Sequence, residues 1–300
     1  MTPDPQLLPA LLARLDRIAE RLDAALGPAA PGILRGAPAP PAAPGCRAFV
    51  WEGAGGVRAV GRPAAADPAL LTGIARQKAA FYANIERFAR GLPAHDVLLW
   101  GERGTGKSSL VRSLPLAVPR DELVLLAVPE HRAPDLPRVL DALAGDPRRW
   151  VLYLDDLSFE APRERYRELK VLLEGGLEQR PANTLVVATS NRRHLVPEAF
   201  PGDHEIHPEE AVAEKVSLAD RFGLSLGFYP FDEATYLEAV GRHLAAMGAA
   251  PPPGWEVEAA RWAMARGIRS GRTAQQAARE LAGRASHHPD AGAGSGSPEL

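Results

Sequence analysis

The chain has 300 residues, 46% of them hydrophobic, which suffices for one large domain or one domain with a small appendage. Its formal net charge of −2 gives the whole molecule no electrostatic signature of a nucleic-acid binder, although local patches are allowed. A single cysteine, Cys46, excludes an internal disulfide and any cysteine-based zinc cluster, and fits a reducing compartment.

The start, Met1 to Pro5, lacks a charged segment followed by an apolar stretch, so no signal peptide is expected. No apolar run approaches membrane-spanning length, and the expectation is a cytoplasmic protein with no membrane partner. Leu8, Leu11, Leu15, Ile18 and Leu22 recur at spacings of three and four, which predicts an amphipathic helix over 1–27. Three heptads are too few to separate a partner-binding helix from one packed on its own domain. The stretch 28–46 is dense in proline and alanine and reads as a linker. Ala48–Glu52 and Val57–Val60, separated by glycines, predict a small hairpin, with a connector running to residue 69. A helix follows, carrying Ile74, Lys78, Phe81, Ile85 and Phe88 and stopping at Gly91. Ile74 fits either an adenine pocket or ordinary packing under a sheet.

The most informative stretch comes next. Gly101, Glu102, Arg103, Gly104, Thr105, Gly106, Lys107 and Ser108 spell G-x-x-x-x-G-K-S. An apolar run, Val97 to Trp100, precedes them, and a helix-forming run beginning at Ser109 follows. Strand, glycine loop and helix are the context that a phosphate-binding loop needs. The glycines let backbone N–H groups wrap an anion, and the helix start adds its positive dipole end. Lys107 is placed to reach the β- and γ-phosphates, and the Ser108 hydroxyl to ligate Mg²⁺.

Beyond the loop, apolar strands alternate with helices. Strands are predicted over Leu123–Val128, Val151–Leu154, Leu185–Thr189 and Leu224–Phe228. Helices are predicted over Leu136–Leu143, Arg163–Glu174 and Ala211–Arg221. With Val97–Trp100 this predicts an α/β domain over 70–230, a doubly wound five-stranded parallel sheet of the P-loop NTPase class. From Phe231 only helices are visible, over Asp232–Met247, Val257–Arg266 and Thr273–Arg284. They predict a small α-helical domain over 231–285, followed by a polar, disordered tail over 286–300.

Ligands of such sheets sit at the carboxyl ends of the strands. Asp155 ends one strand and is expected to hold Mg²⁺ from outside its inner ring of ligands, opposite Ser108. Asp156, the next residue, has the charge to polarise an attacking water but a shorter arm than glutamate; Glu160 is an alternative. Asn191 ends another strand, where its amide can hold that water or merely cap a turn. Arg192, Arg193 and His194 read as a solvated basic face. Arg221 and Arg272 have the right chemistry for phosphoryl oxygens, but position alone does not single them out among many arginines.

The order of these features resembles an AAA+ ATPase. Over Gly73–Leu114, Leu152–Glu160, Leu172–Glu198 and Glu214–Leu237 the chain is similar to an uncharacterised bacterial AAA+ subfamily, known only as a domain of unknown function. The similarity runs from about Leu70 to about Arg284. It implies Walker A residues Gly101–Ser108, Walker B residues Asp155 and Asp156, and Asn191 as sensor 1. It further implies that Arg221 is an arginine finger acting on a neighbouring subunit, hence a homo-oligomer, and that Arg272 is the lid's sensor-2 arginine. Asp156 departs from the glutamate usual there.

The expected function is an ATPase that uses ATP and Mg²⁺ to remodel or load a protein or nucleic-acid client. The alternative is an ATP-dependent switch or adaptor with little turnover. A small-molecule kinase is a third reading, which leaves the lid and the Asp-Arg-Phe-Gly segment without a role.

Overall fold

The computed structural model describes residues 46–157, 169, 172–173, 180–191 and 220–287. The expected N-terminal helix, most of the linker, Glu160, Arg192 to His194, nearly all of the helices at Arg163–Glu174 and Ala211–Arg221, and the tail lie outside the described residues. The described residues fall within the compact unit Pro38–Leu300. Among them, no helix is long and apolar enough to cross a membrane.

Seven strands form one sheet: β1 (Ala48–Trp51), β2 (Val57–Ala59), β3 (Val97–Gly101), β4 (Leu123–Ala127), β5 (Arg149–Leu154), β6 (Thr184–Ser190) and β7 (Leu224–Phe228). Their order is β2-β1-β4-β5-β6-β3-β7. Every pairing is parallel except β1 with β2. The five expected parallel strands are therefore present. The predicted hairpin does not stand apart from them; it extends their sheet. β1 pairs with β4, and Phe49 and Trp51 are each only 1% exposed. The Arg47 guanidinium ties the hairpin further by donating to the carbonyl of Val118.

The central strands are apolar throughout because both faces are covered. All seven residues of β6 are buried. In β5, Val151 and Tyr153 join a core with Phe81, Ile85 and Phe88 of helix α1 (Ala75–Ala89) and Leu110 and Val111 of helix α2 (Lys107–Arg112). The alternate residues Trp150, Leu152 and Leu154 point to the opposite face and are equally buried. A short helix, α3 (Leu114–Ala117), follows α2 after Ser113 and carries Pro115 in its first turn, and α4 (Leu136–Leu143) precedes β5.

Three helices follow β7: α5 (Glu233–Ala246), α6 (Trp255–Ala265) and α7 (Gly271–His287). The Asp232 carboxylate caps α5 by accepting from the Thr235 N–H at 2.8 Å. The helices share their own core, built from Tyr236, Val240, Leu244 and Leu281 with alanines at 239, 259, 263, 274, 277 and 278. So many alanines at the contacts let the helix backbones approach closely.

Candidate functional site

The strand order places the glycine loop where chemistry can gather. β3 lies between β6 and β7, so residues 101–108 leave the sheet beside the ends of both neighbours. Gly101 has φ +130°, and a Cβ there would come within 2.0 Å of the Phe228 carbonyl oxygen. Gly104 and Gly106 also have positive φ, at +80° and +107°. Only glycine takes these three conformations without strain. Lys107 opens α2 directly after Gly106.

Lys107 is 4% exposed, and its Nζ donates to the carbonyls of Gly101 and Glu102, both at 2.7 Å. Burial lowers its pKa to about 8, opposed by the nearby carboxylates of Asp156 and Asp155 and assisted by Arg272 and Arg103. A buried cation held by two carbonyls, with carboxylates nearby, can exchange those carbonyls for an anion. Thr105 steadies the loop by donating its hydroxyl to the Glu102 carbonyl at 2.7 Å.

Asp155 stands at the end of β5. Its Oδ1 accepts from the Ser108 hydroxyl and from the Thr189 hydroxyl, each at 2.8 Å. Partial burial pushes its carboxyl up, but polar contacts from Tyr153, Thr189 and Ser108 and the charge of Arg112 outweigh this, and its pKa lies below the ordinary 3.8. Thr189 also accepts from the Asp156 N–H at 2.8 Å. That bond holds Asp156 in a left-handed conformation, φ +56°, which no other non-glycine residue adopts among the described residues. The Asn191 amide donates to the Asp156 carboxylate. The pair expected to handle water is thus in direct contact.

These groups open into a cavity of about 800 Å³ between the sheet edge and the helices α5 and α7. Its cationic lining is Arg103, Lys107, Arg112 and Arg272, facing Asp67, Asp155 and Asp156. Away from the charges the wall turns apolar, with Leu70, Leu71, Ile74, Phe231 and Ala239, and the polar Thr72, His243 and Gln275 interrupt it. Ile74 is 2% exposed within the main core, and it also lines the cavity beside Gly106. His243 is partly buried, which together with the charge of Arg279 lowers its pKa below the ordinary 6.5.

The sequence-derived residues do not all meet here. Glu102 contributes its carbonyl to Lys107, and Ser109 lines the cavity next to Ser108. Arg272 lines the cavity at the start of α7, and its backbone N–H donates to the Gly104 carbonyl at 3.2 Å. Arg221 sits exposed just before β7, followed by the buried Phe222, and is not among the cavity's lining residues. Sequence reasoning missed Thr189, which looks like any β-branched strand residue, and Tyr153, which looks like core. It also missed Arg112, whose signal was its position four residues after Ser108 on the same helix face; its Nε donates to the Ser108 carbonyl at 3.2 Å. His243 and Gln275 had no signal short of the packing of α5 and α7.

Residues 44–285 match the family described as "Protein of unknown function (DUF815)", and the chain belongs to that family. No curated protein matches the sequence. Among solved structures, it is similar to the Thermotoga maritima RuvB Holliday junction branch migration motor, at 15% identity and TM-score 0.50, over 70% of this chain and 62% of that one. A point mutant of the same RuvB gives TM-score 0.53 at 15% identity, over 72% of this chain and 64% of the other. The Aeropyrum pernix ORC1 protein in complex with DNA gives TM-score 0.54 at 16% identity, over 74% and 63%. The chain thus spans less than two thirds of the length of the structures it matches. At these identities the likeness shows the fold alone, an α/β domain with a mostly parallel seven-stranded sheet followed by helices, like that of RuvB and ORC1.

Proposed function

We propose that this DUF815 chain binds MgATP in the cavity between the sheet edge and the helical lid, and hydrolyses it to remodel or load a macromolecular client. The reading is carried by one observation: Lys107, the Ser108–Asp155 pair and the Asp156–Asn191 pair converge on a single cavity of about 800 Å³. That volume is within the range of ligand sites of nucleotide size, roughly 300–1,000 Å³. The residues also fit the metal. Ser108 Oγ and Asp155 Oδ1 are two hard oxygen donors 2.8 Å apart, the donor type and spacing that Mg²⁺ favours. Ser108 and Asp155 would hold the ion. Once bound, Mg²⁺ supplies positive charge against the oxygens of the transferred phosphoryl group.

The chain's own groups divide the remaining work. The loop N–H groups and the start of α2 bind the phosphate tail. Lys107 exchanges its carbonyl partners for phosphate oxygens. The apolar wall of Leu70, Ile74 and Phe231 receives the base and excludes water. Asp156 accepts a proton from the attacking water, and Asn191 keeps its carboxylate aimed. Arg272 brings positive charge from the lid, so closure of α7 completes the site. Arg221, outside its own chain's cavity, is suited to act on the nucleotide of an adjacent subunit, which makes the working form a homo-oligomer. The client is a protein or a nucleic acid; two structures of like fold are described as a branch migration motor and as a complex with DNA.

The test is ATP turnover by the wild type beside Lys107→Ala, Asp156→Asn and Arg221→Ala. Turnover should fall at least about 10²-fold in Lys107→Ala and in Asp156→Asn. Asp156→Asn should keep nucleotide affinity, and mixing it with Arg221→Ala should restore part of the activity if the arginine acts in trans. Equal turnover in all four proteins would refute the reading.

A second reading, an ATP-dependent switch with little turnover, is favoured by Asp156 itself. Its carboxylate is one methylene shorter than glutamate and already engaged by Asn191. Tight MgATP binding without turnover, unchanged in Asp156→Glu, would select it.

A further inference from the structure

Tyr153 lies on β5 two residues before Asp155, so both side chains project from the same face of the strand. Its ring is part of the core against α1 and α2, and the residue is 5% exposed. A phenylalanine would fill that space equally well. The hydroxyl is therefore the feature to explain. It lies beside the Asp155 carboxylate and the Ser108 hydroxyl. Its approach is near enough to lower the Asp155 pKa but falls short of a hydrogen bond of normal geometry, and the hydroxyl is buried from solvent. Ser108 and Thr189 both use Asp155 Oδ1. An unsatisfied buried hydroxyl is costly, and proteins retain one where a partner arrives or where function requires it.

We infer that Tyr153 is a positioning residue of the cation site, its hydroxyl donating to the Asp155 carboxylate, directly or through a water of the metal's shell, once Mg²⁺ and nucleotide are bound. The inference rests on the MgATP reading above and adds a residue to it. The chemistry is that of outer partners of metal ligands: they fix the orientation of the liganding carboxylate, and losing one typically weakens metal affinity about 10-fold or more. Thr189 restrains one side of Asp155 from β6, and Ser108 approaches from α2. Tyr153 supplies the third restraint, from the strand that carries Asp155 itself. When Ser108 becomes a metal ligand, the hydroxyl of Tyr153 is the nearby donor not yet committed to another acceptor.

The experiment is Tyr153→Phe in the full-length chain, with three readouts. Thermal stability of the nucleotide-free protein should stay the same or rise, because the substitution removes an unsatisfied polar atom. Affinity for ATP in EDTA should match the wild type. The Mg²⁺ concentration that half-saturates the metal-dependent gain in ATP affinity should rise about 10-fold. An unchanged Mg²⁺ requirement would overturn the inference, as would equal weakening of ATP binding with and without metal, which marks a purely structural role. If the wild type itself shows ATP binding with no dependence on Mg²⁺, both this inference and the reading it rests on fall. If the wild type shows the dependence and Tyr153→Phe leaves it intact, only the inference falls.

Discussion

The backbone N–H of Arg272 donates to the carbonyl of Gly104 across 3.2 Å, so the first turn of the last lid helix rests on the phosphate loop itself. A Cβ added at Gly104 would lie 2.9 Å from Ser270 Oγ and 3.1 Å from Arg272 Cβ. Gly104→Ala should therefore push the lid off the loop while strands β3 and β6 stay paired. The expected outcome is ATP affinity lower by about 10-fold, roughly 1.4 kcal/mol, in a protein that still unfolds cooperatively. Titration calorimetry and a melting curve check the two halves of this statement.

Gly101 differs from Gly104 in what it would meet. Its added Cβ would collide with the Phe228 carbonyl at 2.0 Å, a backbone atom that cannot swing aside. Gly101→Ala should cost about 3 kcal/mol or more of stability, beyond the usual range for a strained residue alone. Gly145 is the control: its φ is +84°, but nothing lies within 4 Å of its added Cβ. Gly145→Ala should cost only about 1 kcal/mol. Denaturant midpoints measured on both variants test the contrast.

Thr189 connects the two carboxylate positions. Its hydroxyl donates to Asp155 Oδ1 and accepts from the Asp156 N–H. Thr189→Val keeps the shape and deletes both bonds, leaving the N–H of Asp156 without its partner. A loss of about 1–3 kcal/mol of stability is expected. Turnover should fall more than ATP affinity does, since Asp156 loses its restraint while the phosphate loop is untouched. Parallel binding and rate measurements check this.

His243 supplies a pH dependence. Burial and Arg279 hold its pKa below the ordinary 6.5, so the unfolded chain takes up a proton there before the folded one does. Between those two pKa values the unfolded state binds more protons, and stability falls as pH drops below 6.5. His243→Gln should flatten this part of the stability profile and leave the profile above about pH 7 unchanged. Chemical unfolding of both proteins across roughly pH 5 to 8 measures it.

Much of this is legible in the amino-acid sequence alone. The phosphate loop could be read because its glycines, lysine and serine are a local pattern. Asp155 and Asn191 could be read because each ends an apolar run. The partnership of β3 with β6 and β7 could not, because it joins strands far apart in the chain and depends on how crossover helices pack. The hairpin's place in the sheet was hidden for the same reason: Phe49 and Trp51 announce a strand but not its neighbour. Tyr153 and Thr189 were hidden by their own apolar character, since residues of that kind in a strand read as core. Arg221 and Arg272 stood out only through family resemblance. Their cations look like any others until a cavity wall takes in Arg272 and omits Arg221.

The most direct test of the account is calorimetric titration of MgATP into the purified wild type and into Lys107→Ala. The wild type should bind saturably and with Mg²⁺ dependence, and the variant should lose at least about 10-fold in affinity, because the buried ammonium between Gly101 and Glu102 is the cation that the phosphates would meet. Absence of binding to the wild type, or equal affinity in the two proteins, would contradict it.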